Sequence, residues 1–269
     1  MRIRQTSSDA AMTGLGWLVL GLAAVFMIAP AILVVVLSFS AHDKLVFPPQ
    51  HWGLRQYDTL AGSQYWLQSI VMSFKVAIPT AVLATLIGVP ATIALERSRM
   101  KGKAVLRMLG IAPIILPGAA YAVALYLFYA QFHILGSFWG VVAAEVTIAV
   151  PFVILIVGAG LRRISADLEL VAMSLGASRL RATLGITVRL LVPSIAASLV
   201  LAFVTVFDEL VLINFVGGGQ IITLPKAIYD SFRTGTEPLI TAIATLSMVV
   251  TGMLMLISTH WRKASADRT

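Results

Sequence analysis

Residues 138–161 read FWGVVAAEVTIAVPFVILIVGAGL, and residues 162–189 continue RRISADLELVAMSLGASRLRATLGITVR. The first stretch carries a single charge, Glu145, and has the roughly 20 residues that a helix needs to cross about 30 Å of hydrocarbon. The second is too polar to span and too regularly patterned to be a plain linker. Working outward, five more stretches meet the same length test: Gly14–Phe39, Ser69–Leu95, Met108–Phe132, Leu190–Val216 and Leu239–Ser258. The sequence therefore predicts an all-α membrane protein, a six-helix bundle over 14–258 that includes the loop 162–189. Short tails, 1–13 and 259–269, flank it. The first apolar stretch is twice the length of a signal-peptide core and lacks a clear small-residue cleavage site, so it reads as a retained helix.

Composition agrees. Apolar residues make up 59% of the chain and charged ones 12%, against about 45–50% and about 25% in soluble domains. With a mean hydropathy of +0.93, a soluble enzyme on one anchor is excluded. So is a disordered chain, which lacks the apolar content to collapse. The absence of cysteine removes disulfides, thiolate metal sites and cysteine nucleophiles.

Lys and Arg set the orientation. Fifteen fall on one side, in the N-terminal tail, the 97–107 and 162–189 loops and the C-terminal tail; only Lys44, Arg55, Lys226 and Arg233 fall on the other. Both termini are thus expected in the cytoplasm. The cytoplasmic face carries +10, the outer face 0 and the membrane interior −2, which accounts for the net +8. The basic balance is a topology signal and needs no nucleic acid to explain it.

Within 162–189, Ser165 is placed to cap a helix whose first turn holds Asp167 and Glu169, where the helix dipole favours acids. Ile164, Leu168, Val171 and Leu175 form one apolar stripe. Gly176 stops that helix, and Ser178 can cap a second one running through Arg179, Arg181 and Leu184 towards the fifth span. A helix lying on lipid headgroups would ring its apolar stripe with bases. This one carries Asp167 and Glu169, which favours a groove on a protein partner.

At the level of motif, "DLELVAMSLGAS" (Asp167–Ser178) resembles the coupling loop of ATP-binding-cassette (ABC) importer permeases. "LSFS" (37–40), "FPPQHWGLRQY" (47–57), "FDELVL" (207–212) and "TLPKAIY" (223–229) are similar to the spermidine/putrescine branch of that family. The resemblance implies a half-transporter working with a second, distinct permease, two cytosolic ATPase subunits and a periplasmic substrate-binding protein in a bacterial inner membrane. It implies that Asp167, Leu168, Glu169, Ala172, Leu175, Gly176 and Ala177 couple the chain to an ATPase. No cofactor is expected on this chain; ATP and Mg would be bound by the partner ATPases. The family's second glutamate falls at Leu170 here and its first alanine at Val171. Its closing Leu-Pro has become Val188-Arg189. Glu169, one position early, is the candidate stand-in for the missing acid. Independently, no G-x-x-x-x-G-K-[ST] phosphate loop occurs, so ATP-driven transport would need hydrolysis on another polypeptide.

Charge inside a membrane marks a function or a pair. Lys75, Glu145, Asp208 and Glu209 all fall within roughly 10–15 Å of the outer side at about 1.5 Å per residue. They are the candidate translocation-path residues, with Lys75 expected to pair with Glu145 or Asp208. The bland alternatives are that Lys75 snorkels outward and that Asp208 and Glu209 cap helices. The acidic trio suits a polyamine, whereas a free Lys75 would suit a zwitterion such as 4-aminobutyrate or an opine-like amino acid. The first outer loop, with Trp52, Tyr57, Tyr65 and Trp66, reads as an interfacial aromatic belt or an outer docking surface. Gly158 and Gly160 read as sites of close helix packing. The four histidines never stand at i, i+4 and no nucleophile elbow occurs, which argues against an enzyme. A stand-alone secondary transporter is the remaining rival, and it lacks an evident internal repeat.

Overall fold

The computed structural model describes residues 7–98, 100–235 and 237–266, with side chains described between 15 and 253. Arg2, Arg4, Arg99, Asp267 and Arg268, used above for orientation, lie outside the described residues, as do the side chains of Asp9, Arg262 and Lys263. Every named element is helical: α1 (Ser7–Ser38), α2 (Arg55–Gly62), α3 (Gln64–Arg97), α4 (Lys103–Ile115), α5 (Gly118–Gln131) and α6 (Phe138–Leu161) come first. After them come α7 (Asp167–Ser174), α8 (Arg179–Ala182), a π-helical turn (Thr183–Val188), α9 (Arg189–Phe207), α10 (Val211–Val216), α11 (Leu224–Thr234) and α12 (Leu239–Ala266).

Two compact units are distinguished. The first comprises the chain up to Ser63 together with Thr234–Val249. In it, α1 is from Leu15 onward an apolar rod whose side chains stay largely exposed, Phe26 at 81%. The segment after α1 is folded: Ala41 N–H donates to His51 O (2.9 Å) and Gly53 N–H to Phe39 O (2.8 Å) around an antiparallel bridge between Ser40 and Trp52. Gln56 Nε2 donates to the Ser40 and His42 carbonyls. The aromatic belt is therefore divided: Tyr57 Oη shares a 2.8 Å hydrogen bond with Ser38 Oγ, whereas Phe47 and Trp52 are exposed.

The second unit, Gln64–Arg233 and the chain from Val250, holds the main core. It forms where α3, α6 and α9 pack on one another, with Ala77, Ala81 and Ala84 of α3 and Ala144 and Ala149 of α6 fully buried. Small residues let backbones approach, and dispersion and interhelical packing hold such helices where lipid is as apolar as Leu. A Cβ on Gly88 would lie 2.7 Å from Val153 Cγ1, marking a close approach of α3 to α6. A Cβ on Gly160 would meet Ser194 of α9, at 2.9 Å from its Cβ. Gly160 is thus the packing glycine, and Gly158 has only ordinary contacts.

The fourth expected span coincides with α6, whose Ser137 N-cap accepts from Gly140 N–H at 3.1 Å. The third does not survive as one rod. It breaks at Leu116–Pro117 into α4 and α5, bent by 103°. Steric clash with the proline ring disfavours helical ψ in the residue before it, and Leu116 is extended at ψ 143°. At 13 and 14 residues, each half is about 20 Å long and too short to cross alone. The fifth expected span starts earlier, at Arg179, and stops at Phe207. The expected sixth span lies within α12, of which the chain to Met253 has described side chains. Among the described residues, four helices are long and apolar enough to cross a membrane, five if α4 and α5 form one broken span.

The turns at 132–137 and 217–220 meet backbone to backbone. Gly136 N–H donates to Val216 O at 2.9 Å, and a Cβ on Gly218 (φ +58°) would lie 2.9 Å from Gly136 Cα. Gly218 is therefore demanded by contact as well as by its positive φ, and Gly217, whose backbone is helical, by contact alone: a Cβ there would crowd Ile213 and Ile221.

Candidate functional site

The segment after α6 forms the helical hairpin that the sequence predicts, with one shift at its start. α7 begins at Asp167 with Ala166 as its flanking residue, and Ser165 Oγ accepts from Asp167 N–H at 3.2 Å while donating to Asp167 Oδ2. The stop is complete. Gly176 adopts φ +92°, Gly176 N–H donates to Met173 O and Ala177 N–H to Ala172 O, both at 3.0 Å. This paired arrangement is a Schellman motif, which satisfies carbonyls at the helix end and favours glycine at its left-handed position. Ala172, Gly176 and Ala177 thus shape the backbone turn. Ser178 Oγ accepts from Arg181 N–H and caps α8. α8 then passes through the π-helical turn into α9 without a break.

The apolar stripe does not face the core. Ile164 packs inward, but Leu168, Leu170, Val171 and Leu175 are exposed, Leu175 by 84%. The one large group of α7 turned inward is the acid Glu169, 8% exposed. Thr187 Oγ1 donates to its Oε1, Thr183 Oγ1 donates to its Oε2 at 3.3 Å, and Arg97 Nε lies 3.8 Å from Oε1. Arg97 Nη2 also donates to Ile164 O at 2.9 Å. Nearby, Glu96 Oε1 takes Arg107 Nη2 at 2.8 Å and Arg162 Nη1 at 3.2 Å, joining the basic ends of α3, α4 and α6. Arg97, Thr183 and Thr187 were not among the residues singled out from sequence. The i, i+4 threonines facing one acid are the signal that could have found them.

The four intramembrane charges do not assemble as expected. Lys75 is exposed, on the face of α3 that also carries Val71, Ile78 and Val82, each about one turn apart. Among the described residues no ion pair joins it to Glu145 or Asp208, because those acids lie elsewhere around the helices. Glu145 is fully buried in α6, with no hydrogen-bond partner for either carboxylate oxygen among the described residues. Asp208 is exposed at the C-terminal end of α9, where the chain breaks before α10. Glu209 accepts from Leu212 N–H at 2.9 Å, so it caps α10. α11 is tied to α3 by Leu224 N–H donating to Ser73 Oγ at 2.7 Å, and Lys226 pairs with Asp230.

Long apolar helices, together with a hairpin whose leucines point away from the core, define a multi-pass membrane protein that presents an apolar helical hairpin. Residues 77–263 match the family described as "Binding-protein-dependent transport system inner membrane component". The chain belongs to this family and is a permease subunit of an ABC importer, a multi-pass membrane protein and not an enzyme. It is 30% identical to the putrescine transport system permease protein PotI of Escherichia coli (strain K12) over 243 residues, 87% of this chain and 85% of PotI. It is 28% identical to the spermidine/putrescine transport system permease protein PotC of the same strain over 233 residues, 87% and 88% of the two chains. In fold it is similar to a chain of a bacterial ABC transporter that imports the acidic polysaccharide alginate. The TM-score is 0.76 at 15% identity, over 97% of this chain and 99% of that one.

Proposed function

We propose that this chain forms half of the translocation pathway of an ABC importer for polyamines such as putrescine and spermidine, or for a related small amine. The exposed apolar face of α7 is the observation that carries the machine: three large apolar side chains on an eight-residue helix and a fourth, Leu175, at its C-cap, all turned from the core, need a protein groove. That groove belongs to one of two ATPase subunits, which bind ATP and Mg and drive the cycle. The basic end carrying Arg97, Arg162 and α7 faces the cytosol, and both termini lie on that side. A second, distinct permease completes the pathway, and a periplasmic binding protein delivers substrate to the outer side.

The polyamine assignment is supported by the names of the relatives and by Glu145, an acid with no cation partner among the described residues. Lys75, which pairs with no acid among the described residues, favours a second reading, the same machine carrying a zwitterion such as 4-aminobutyrate. The test is uptake into proteoliposomes carrying the whole complex, with labelled spermidine, putrescine and 4-aminobutyrate, with and without internal ATP. ATP-dependent polyamine uptake is expected. ATP-dependent uptake of the zwitterion alone would transfer the assignment to the second reading. Transport without ATP dependence, by an assembled and active complex, would refute the importer.

A further inference from the structure

Glu169 stands among the residues implied to couple to the ATPase, yet its carboxylate is buried against its own chain. Its acceptors are occupied from within the chain, by Thr183 and Thr187 of the π-helical turn, and Arg97, the last residue of α3, stands beside it. Three elements therefore meet at one buried carboxylate: α7, the foot of the fifth span and the end of the second span. Arg97 also holds the entry to α7 through Ile164 O.

Resting on the proposed function, we infer that Glu169 is an internal fastener: a positioning residue that makes a push on α7 move the second and fifth spans together. The exposed stripe receives the push and the inward acid transmits it. Two features suit this role. The π-helical turn is a rare geometry that recurs at functional sites, and it supplies both hydroxyls. Beside the network lies a cavity of about 630 Å³, bounded by Pro90, Ile93, Arg97, Thr183, Leu184 and Val188, which leaves the two span ends room to move against each other. Hydrogen bonds to a buried carboxylate are stronger than those between neutral groups, so the joint is firm.

The test uses the complete complex in proteoliposomes, reading uptake and ATP hydrolysis in the same vesicles for wild type, Glu169→Ala and Thr187→Val. Both variants are expected to assemble with the ATPase at wild-type yield and to hydrolyse ATP. Uptake per ATP should fall about tenfold in Glu169→Ala, the scale of one lost charge-assisted hydrogen bond, and less in Thr187→Val. Glu169→Gln, which keeps one acceptor oxygen, should recover part of the loss. An unchanged ratio in both variants overturns the inference. So does an Glu169→Ala complex that loses its ATPase while Thr187→Val behaves as wild type, because the acid would then be a partner contact. If wild type itself shows no ATP-driven uptake, the proposed function fails, and hydrogen exchange still decides the fastener. Amides of 167–174 and 183–188 should lose protection together in Glu169→Ala, and unchanged protection in both overturns it.

Discussion

Leu175 is 84% exposed at the end of α7, and replacing it with alanine separates folding from docking. Alanine is the best helix former, and an exposed side chain away from caps and cores contributes within about 0.5 kcal/mol to stability. The chain should therefore fold and assemble in the membrane as before. In a groove, fully burying a leucine is worth about 1.5–3 kcal/mol. Since alanine keeps one methyl, the loss is about 1–2 kcal/mol, or about five- to thirtyfold weaker association. The assay is titration of the purified ATPase onto the permease pair in nanodiscs, following a fluorophore on the ATPase. Phe26→Ala, on the exposed face of α1, serves as the control and should leave the affinity unchanged. A change of under about twofold in Leu175→Ala, on the scale where 1.4 kcal/mol is tenfold, would refute the reasoning that the outward stripe is the docking face.

Three further outcomes follow from the packing and the charges. Gly88→Ala forces a methyl to within 2.8 Å of Val153; overpacking at about 1–3 kcal/mol outweighs the roughly 1 kcal/mol gained in helix propensity. The thermal midpoint in detergent should fall, whereas Gly21→Ala, with nothing within 4 Å, should not lower it. Gly176→Ala has room for its Cβ but must hold φ +92°, at a cost of about 1–2 kcal/mol, visible as faster hydrogen exchange across 172–177. Glu145→Gln replaces a buried carboxyl lacking a hydrogen-bond partner among the described residues with an amide of the same shape, so assembly and thermal stability should hold or rise while ATP-driven polyamine uptake falls. Unchanged uptake would remove Glu145 from the pathway.

The hairpin was legible because its signals are local: Gly176 and Ser178 act within one turn of themselves, and each does in the structure what its chemistry suggests. The bounds of α6 were legible for a similar reason, with Ser137 at one end and Arg162 at the other. The broken third span was not. Pro79, Pro90, Pro151 and Pro193 all sit inside continuous helices, so a proline alone does not say which helix breaks. Only the extended Leu116 decides it. Depth also misled. Lys75 and Glu145 share a depth, but pairing depends on the angle around each helix, and Lys75 shares its angle with Val71 and Ile78. The direction of the α7 stripe was hidden as well. Periodicity sets Glu169 opposite the leucines; which side meets the core depends on Arg97, more than seventy residues upstream.

Whether α7 lies against an ATP-binding subunit is directly measurable because the chain lacks cysteine. A Val171→Cys variant, labelled with benzophenone-maleimide and illuminated in the assembled complex, places a reactive group on the outward stripe. The account predicts one dominant adduct with an ATP-binding partner, whose yield changes on adding ATP. An assembled complex that gives no such adduct, or gives it only to lipid, would contradict the account.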